Sequence, residues 1–145
     1  MFKHVLVATD GSPLSEKAVL NAVQLAKSMS ARLTAITVSA PFHVFATDAV
    51  MVTDTEDVYK EECNSRAEKY LGVAKTAAGS SGVPFEGKHV FHDHPYEAII
   101  DAARNSGCDV ICMASHGRRG IAALVLGSET VKVLTHSHTP VVVWR

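Results

Sequence analysis

Short apolar runs alternate with longer amphipathic stretches along the whole chain. The apolar runs that are short enough to be strands lie at residues 5–8, 32–39, 85–91, 109–113 and 140–144. The run at 5–8 shows no polar alternation, which is typical of a parallel strand buried on both faces. The run at 85–91 is less apolar than the others. The pattern predicts five β-strands.

Four stretches between these runs carry apolar residues at helical spacing. They are residues 13–29, residues 56–78, a segment that begins after Asp93-His94-Pro95, and residues 128–136. Ser12 is placed as the N-cap of the first helix, with Pro13 at the first helical position, and Ser128 is placed as the N-cap of the fourth. Glycines at 79–82 and at 107 are expected to end the second and third helices.

The apolar residues between 42 and 55 follow neither a helical nor a strand period, which predicts a loop. The stretch is moderately apolar for a loop, because it contains two phenylalanines, three valines and a methionine. Two interpretations stay open: the loop covers a ligand or a partner, or it is a surface excursion.

The order of the elements is typical of one doubly wound α/β domain over residues 1–145, with a five-stranded parallel sheet and helices on both faces. Ligands of such sheets bind outside the carboxyl ends of the strands, at the topological switch point. The loops after the first and fourth strands are neighbours if the strand order is 3-2-1-4-5. We therefore expect a crevice between residues 8–12 and residues 114–120.

Composition narrows the class of protein. A chain of 145 residues is long enough for one core and too short for two ordinary domains. The net charge of −1 and the aromatic content of 6% argue against nucleic-acid binding. No apolar run approaches the length of a membrane span, and no signal peptide is visible. Three cysteines without a CxxC motif indicate reduced thiols in a cytoplasmic protein.

The stretch from residue 114 to residue 128 carries the candidate chemistry. It runs from a buried strand through a loop with glycines at 117, 120 and 127 to the start of a helix. Free backbone N–H groups and the helix dipole at such a place favour an anion, and glycine lets the backbone approach a phosphate. Plain turn chemistry is the alternative interpretation. The spacing is neither that of a Walker loop nor that of the Rossmann fingerprint.

Asp10 lies just beyond the carboxyl end of the first strand, at the predicted switch point. A carboxylate beside phosphates is repulsive unless it holds a metal such as Mg²⁺ or accepts hydrogen bonds from ribose hydroxyls. Its alternative role is to accept a backbone hydrogen bond inside the turn at 11–12. Ser128 is able to cap its helix and to touch phosphate with the same hydroxyl. Arg118 and Arg119 either meet phosphate or remain solvated.

Two other chemistries are disfavoured. The eight histidines include clusters at residues 89–94 and 136–138, but their spacing matches no known zinc site. Ser115 and His116 are adjacent, so their side chains diverge, and the chain has no nucleophile elbow of the form G-x-S-x-G.

These residues together resemble the universal stress protein family over essentially the full length. The resemblance is carried by residues 5–12, 115–120, 126–128 and 139–143. It implies a doubly wound α/β fold and a homodimer formed through antiparallel pairing of the last strands, here Val141–Trp144. The exposed edge of such a strand needs protection.

The family's nucleotide-binding branch carries the pattern G-x-x-G, nine residues, then G-S/T. Here Ala114 stands where the pattern has its first glycine; Ser115, His116 and Gly117 complete the first part, and Gly127 and Ser128 close the second. The resemblance implies that Ala8, Thr9 and Asp10 line the adenosine end and that the Val38 backbone meets the adenine. It further implies that the ribose and phosphates are surrounded by Gly117, Arg118, Gly120, Ser128, Glu129 and Thr130.

The leading hypothesis is therefore a protein that binds ATP or AMP, with Mg²⁺ bound through Asp10 and the phosphates, and that acts by nucleotide-dependent association with protein partners. A nucleotide-free dimeric interaction module of the same fold is the second hypothesis. A slow ATPase is the third, with Asp10 and magnesium as its only obvious catalytic element. Binding without efficient turnover is the function that the resemblance favours.

Overall fold

A computed structural model describes residues 1–43, 52–118 and 126–145. The strands within these ranges are β1 (His4–Ala8), β2 (Arg32–Ser39), β3 (Phe85–Phe91), β4 (Val110–Ala114) and β5 (Val141–Trp144). The helices are α1 (Pro13–Ser28), α2 (Val52–Ser81), α3 (Pro95–Ser106) and α4 (Ser128–His136). The bounds of β2 and β3 are those that the sequence predicts.

The five strands form one sheet in the order β3-β2-β1-β4-β5, and every neighbouring pair is parallel. The predicted strand order is therefore confirmed. Because β1 and β4 are adjacent, the loops that follow them leave the same edge of the sheet side by side. This adjacency places the crevice of an open α/β sheet between them.

The alternation of side chains along β1 divides the core in two. Val5 and Val7 pack on the face covered by α1 and α2, in a cluster that includes Ala22 and Ala74. Leu6 points to the other face, in a cluster with Ile99 of α3 and Val133 of α4. The period of two along the strand thus puts α1 and α2 on one side of the sheet and α3 and α4 on the other.

Helix ends follow local chemistry at two of the predicted positions. Ser12 is the N-cap of α1, and its side chain accepts a hydrogen bond from the Ser15 backbone N–H at 3.2 Å. Gly107 is the C-cap of α3 with a left-handed φ of 65°. Both predicted caps are confirmed, and each supplies what the helix end needs: an acceptor at the start and a residue without Cβ at the end.

Both predicted ends of α2 are wrong, as are two predictions at the candidate loop. Helix α2 begins at Val52 rather than at residue 56 and continues through Gly79 to Ser81, so residues 52–55 are not loop; the predicted loop at residues 44–51 lies outside the described residues. The chain leaves this helix only at Gly82, whose φ is 69°. Gly79 itself is exposed, and the helix continues through this weak helix former while the neighbouring Ala78 is fully buried in the core.

The other two errors concern the candidate loop. Strand β4 runs one residue further than predicted, so that Ala114 is part of the strand. Ser128 is the first residue of α4, and Gly127 is the N-cap, because the Gly127 carbonyl accepts the Val131 N–H at 3.0 Å. The predicted N-cap role of Ser128 is therefore wrong.

All three cysteines are free and buried in the core. Burial raises the pKa of the Cys108 thiol to about 11 and that of Cys112 to about 12. Both thiols are therefore protonated at neutral pH and unreactive in the folded state. Among the described residues, no helix is long and apolar enough to cross a membrane.

His4 is a buried titratable group at the amino end of β1, whereas the crevice lies at the carboxyl end of this strand. Its side chain is 4% exposed, and its Nε2 lies 2.7 Å from the Thr34 hydroxyl. Burial, with a smaller contribution from the Arg32 charge, lowers the pKa of His4 below its ordinary value. The folded state therefore resists protonation of this ring.

We expect stability to fall as the pH is lowered from about 6.5, the ordinary histidine value, because the unfolded chain then takes up a proton that folded His4 resists. The loss ends once the pH is below the lowered pKa of folded His4. His4→Gln is expected to make the dependence shallower, measured as the free energy of urea unfolding between pH 5 and 8. Exposed His138→Gln is the control and leaves the slope unchanged. A His4→Gln slope equal to that of wild type would contradict this assignment.

Candidate functional site

The Asp10 carboxylate joins the loop after β1 to the loop after β4. Its Oδ1 accepts the Ser12 backbone N–H at 3.0 Å, within its own turn. Its Oδ2 accepts the Arg118 backbone N–H at 2.9 Å, across the crevice. The turn role considered for Asp10 from the sequence is confirmed, its contact with the second loop is an additional one, and its role toward a metal or a ribose stays a prediction.

The charged form of Asp10 is favoured by these contacts. Burial opposes charge and by itself raises the pKa of Asp10. Hydrogen bonds from Ser12, from the Arg118 N–H and from Ser15 outweigh the effect of burial, so the pKa of Asp10 lies below its ordinary value. The crevice therefore contains a fixed negative charge at neutral pH.

Two glycines permit the close approach of the loops. Gly11 has a φ of 74°, and a Cβ added there would overlap the ring of Tyr70 from α2. A Cβ added at Gly117 would overlap Asp10 Oδ2. Side chains at these two positions would displace the groups that define the crevice.

Thr9 is engaged in the fold around the start of α1. It is 5% exposed, its hydroxyl lies 3.2 Å from the Ser15 hydroxyl, and its carbonyl accepts a hydrogen bond from Thr37 at 2.9 Å. Ala8, the last residue of β1, is partly buried beside it. Both residues lie at the predicted edge of the sheet, where Thr9 fixes the geometry of the turn that carries Asp10.

The segment from Ala114 to Ser128 follows the spacing of the family pattern, and both of its ends lie beside the carboxyl end of β4. The Gly127 N–H donates to the Ser115 carbonyl at 2.6 Å, and a Cβ on Gly127 would lie 3.1 Å from His116 Cα. The Thr130 hydroxyl donates to the Ala114 carbonyl at 3.0 Å. The chain thus leaves β4 and returns to start α4 beside it. Arg119 and Gly120, two of the predicted site residues, lie outside the described residues.

The N-terminus of α4 therefore lies beside the end of β4. Ser128 is exposed, and the N–H groups at 128–130 have no carbonyl four residues earlier inside the helix to which they can donate. Together with the helix dipole, these groups form a place that favours an anion. The exposed Ser128 thus lies where the sequence predicts phosphates, whereas the Thr130 side chain is buried and donates to Ala114.

Ala114 is accommodated by the strand. It is 7% exposed and lies opposite Trp144 in the pairing of β4 with β5. Among the described residues, Ser30 is the one non-glycine residue with positive φ, so the backbone at 114 needs no glycine. The alanine methyl costs no backbone strain.

Three other predicted residues have different surroundings. The Glu129 carboxylate accepts the Tyr96 backbone N–H at 3.0 Å and lies 3.3 Å from Lys132, so it faces the start of α3. Ser115 is buried, with its hydroxyl 3.2 Å from His116 Nδ1. Val38 lies near the carboxyl end of β2 and packs against the core cluster on the α3 and α4 face.

An open cleft of about 400 Å³ lies between the two loops, lined by residues 11–14 and 116–118. Arg118 forms part of its wall, and its guanidinium lies over the Tyr70 ring, 4.9 Å from the centroid. Tyr70 is a site neighbour that sequence reasoning missed. Its helical spacing marks it as a residue of the packed face of α2, and nothing in that spacing shows that it reaches the turn at Gly11.

Within the described residues, no group of three histidine, cysteine or carboxylate side chains is placed to hold a metal ion. Two histidines instead pair with single carboxylates: His43 lies 2.7 Å from Asp93, and His92 lies 3.8 Å from Glu97. The first pair connects the chain after β2 to the β3–α3 junction, and the second connects that junction to α3.

We expect Gly117→Ala to weaken the link between the loops, because the added methyl occupies the position of Asp10 Oδ2. The free energy of unfolding should fall by about 1–3 kcal/mol, the cost of overpacking and of a lost hydrogen bond to a charged group. Gly72→Ala is the matched control: nothing lies within 4 Å of its added Cβ, and in a helix it should stabilise by about 0.5–1 kcal/mol. Urea unfolding of both variants checks the contrast, and equal stabilities would contradict it.

Known proteins that are similar in sequence and fold belong to one family. The model of the universal stress protein family matches residues 1–145. The universal stress protein YxiE of Bacillus subtilis is 31% identical over 149 residues, which cover 100% of both chains. The structure of the hypothetical protein MJ0577 of Methanocaldococcus jannaschii superposes with a TM-score of 0.80 at 25% identity, covering 99% of this chain and 95% of the other. A universal stress protein in complex with cAMP superposes with a TM-score of 0.69 at 26% identity, covering 99% and 97%. The chain belongs to the universal stress protein family.

Proposed function

We propose that the chain binds an adenine nucleotide in the cleft between the loops after β1 and β4. The observation that carries this proposal is the Asp10–Arg118 hydrogen bond, which brings the two loops together at the edge of the sheet beside the N-terminus of α4. The cleft volume of about 400 Å³ is within the range of small-molecule sites. The cAMP complex of a relative with 26% identity supports the choice of an adenine nucleotide.

The phosphates lie at the N-terminus of α4 in this proposal. Backbone N–H groups at 128–130 and the Ser128 hydroxyl donate to them, and Gly117 lets the β4 loop approach closely. The Arg118 guanidinium supplies positive charge. Arg119 and Gly120 remain predictions.

The adenosine end lies toward β1 and β2. The Val38 backbone meets the adenine, and Asp10 accepts hydrogen bonds from the ribose hydroxyls. Each Asp10 oxygen already accepts one backbone N–H and keeps further acceptor capacity. Ala8 and Thr9 provide the floor beside it.

A magnesium ion fits this donor set when a polyphosphate is bound. Mg²⁺ typically takes one or two carboxylates together with phosphate oxygens and water, and Asp10 is a charged carboxylate in the crevice. The ion would neutralise phosphate charge next to Asp10. Binding, with at most slow hydrolysis, is the activity that we propose.

The first experiment is to denature the purified protein without added nucleotide and to identify small molecules in the supernatant by chromatography with mass detection. We expect stoichiometric adenine nucleotide, or else a rise in Tm with millimolar ATP and Mg²⁺. At a ligand concentration of 100 Kd the stabilisation is about 2.7 kcal/mol. An empty extract without any thermal shift would contradict the proposal and favour the nucleotide-free interaction module.

Two variants sharpen that experiment. Ala114→Gly is expected to leave ATP affinity unchanged, because the methyl is buried in the strand. Gly117→Ala is expected to lower ATP affinity about tenfold, or ~1.4 kcal/mol, since it displaces the Asp10 link. Large weakening by Ala114→Gly would show that residue 114 acts on the ligand directly.

We further propose a homodimer through β5, the last strand of the sheet. The carbonyls of Pro140 and Trp144 accept hydrogen bonds from β4. Because alternate residues of a strand direct their backbone groups to the same side, Val141 and Val143 direct theirs to the open edge. An antiparallel copy of β5 would satisfy these groups and protect the edge.

Val143→Pro removes one edge donor and no bond to β4, so it is expected to convert the dimer to a monomer. Val143→Ile keeps the N–H and serves as the control. Light scattering coupled to size-exclusion chromatography gives both masses. A monomeric wild type, or a dimeric Val143→Pro, would exclude the β5 edge as the interface.

A further inference from the structure

The Arg118 side chain is held by α2 and not by the helix whose N-terminus faces the predicted phosphates. Its guanidinium stacks on the Tyr70 ring, with 4.9 Å from its carbon to the ring centroid, and a guanidinium nitrogen also contacts the Tyr70 hydroxyl. Tyr70 thus contacts the Arg118 guanidinium in two ways: its ring lies against the face of the guanidinium, and its hydroxyl accepts a hydrogen bond from a guanidinium nitrogen. Such a contact is a cation–π interaction with a hydrogen bond added.

Tyr70 is itself fixed in this position. Its ring lies against the Gly11 backbone so closely that a Cβ at position 11 would overlap it. Helix α2 packs on α1 through the core cluster that includes Ala74, one turn beyond Tyr70. The tyrosine therefore presents its ring at a defined place beside the cleft.

The location of this contact separates Arg118 from α4. Helix α2 covers the sheet face that contains Val5 and Val7, whereas α4 covers the face that contains Leu6. The Arg118 backbone stays at the crevice through its N–H to Asp10. Tyr70 and an anion at the start of α4 therefore draw the single Arg118 guanidinium toward opposite faces of the sheet.

We propose that Tyr70 is a positioning residue that competes with the phosphate chain of the nucleotide for the Arg118 guanidinium. This inference rests on the proposed nucleotide site and names a regulator of it. Because binding of a phosphate chain breaks the tyrosine contact and binding of the nucleoside alone does not, Tyr70 lowers the preference of the site for ATP over adenosine.

The test is a double-mutant cycle on the full chain. Affinities for ATP with Mg²⁺ and for adenosine are measured by calorimetry for wild type, Tyr70→Leu, Arg118→Ala and the double variant. We expect Tyr70→Leu to tighten ATP binding about two- to fivefold, the scale of one exposed cation–π contact, with unchanged adenosine affinity. In the Arg118→Ala background the same change should have no effect, whereas a purely structural effect through the Gly11 turn would persist there.

A matched control and a milder variant complete the design. Tyr96→Leu removes another tyrosine–cation contact, with Lys132 5.5 Å from the ring centroid, and keeps the backbone N–H that donates to Glu129. It should leave the ratio of ATP to adenosine affinity unchanged. Tyr70→Phe keeps the stacking and removes the hydroxyl, so it should tighten ATP binding less than Tyr70→Leu. If Tyr70→Leu does not fold, the ATP and adenosine affinities of Tyr70→Phe serve as the test.

Each outcome has one meaning. Weaker ATP binding by the Tyr70 variants, or an effect that survives Arg118→Ala, overturns the role of Tyr70 while the nucleotide site stands. An unchanged affinity ratio does the same. Wild type that binds neither ligand refutes the nucleotide site itself, and the Tyr70 inference with it.

Discussion

The hydrogen bond from the Arg118 backbone to the Asp10 carboxylate connects two segments that are far apart in sequence and adjacent in the sheet. It joins the two loops that line the cleft. Gly117 lies against the same carboxylate oxygen, and Gly11 turns the chain so that Asp10 can reach across. The bond exists because β1 and β4 are neighbours at the switch point of strand order 3-2-1-4-5. The strand order thus places the two loops side by side, and the Asp10 carboxylate links them.

The family's spacing between its glycines has a local physical explanation. The chain leaves β4 at Ala114 and comes back to the Ser115 carbonyl at Gly127, where α4 starts. Gly127 is tight against His116, and Thr130 hydrogen bonds back to the end of β4. The spacing therefore serves to close the segment at this point, and this chain has that closure. The first position of the pattern is part of the strand, and a residue with Cβ fits there.

Much of the fold follows from the sequence because its strongest signals are local. Strands β2 and β3 have the predicted bounds, and the caps at Ser12 and Gly107 obey their side-chain chemistry. The start of α2 could not be predicted, because the sequence Val-Thr-Asp-Thr at 52–55 consists of weak helix formers and carries no local helix signal. Tyr70 could not be assigned to the site either. Helical spacing shows that Tyr70 faces inward. Its contact with Gly11, which lies 59 positions earlier in the chain, depends on how α2 is placed along the sheet.

The central thiol has a consequence for how the molecule responds to chemical attack. Cys112 is fully buried in β4, between β1 and β5, and its thiol is protonated at neutral pH. An alkylating reagent can reach this sulfur only when the sheet separates, so its rate of modification measures how often the whole domain opens. Oxidants meet the same barrier. The rate at which Cys112 is alkylated thus reports the unfolding of the protein, because this thiol reacts only after the sheet has opened.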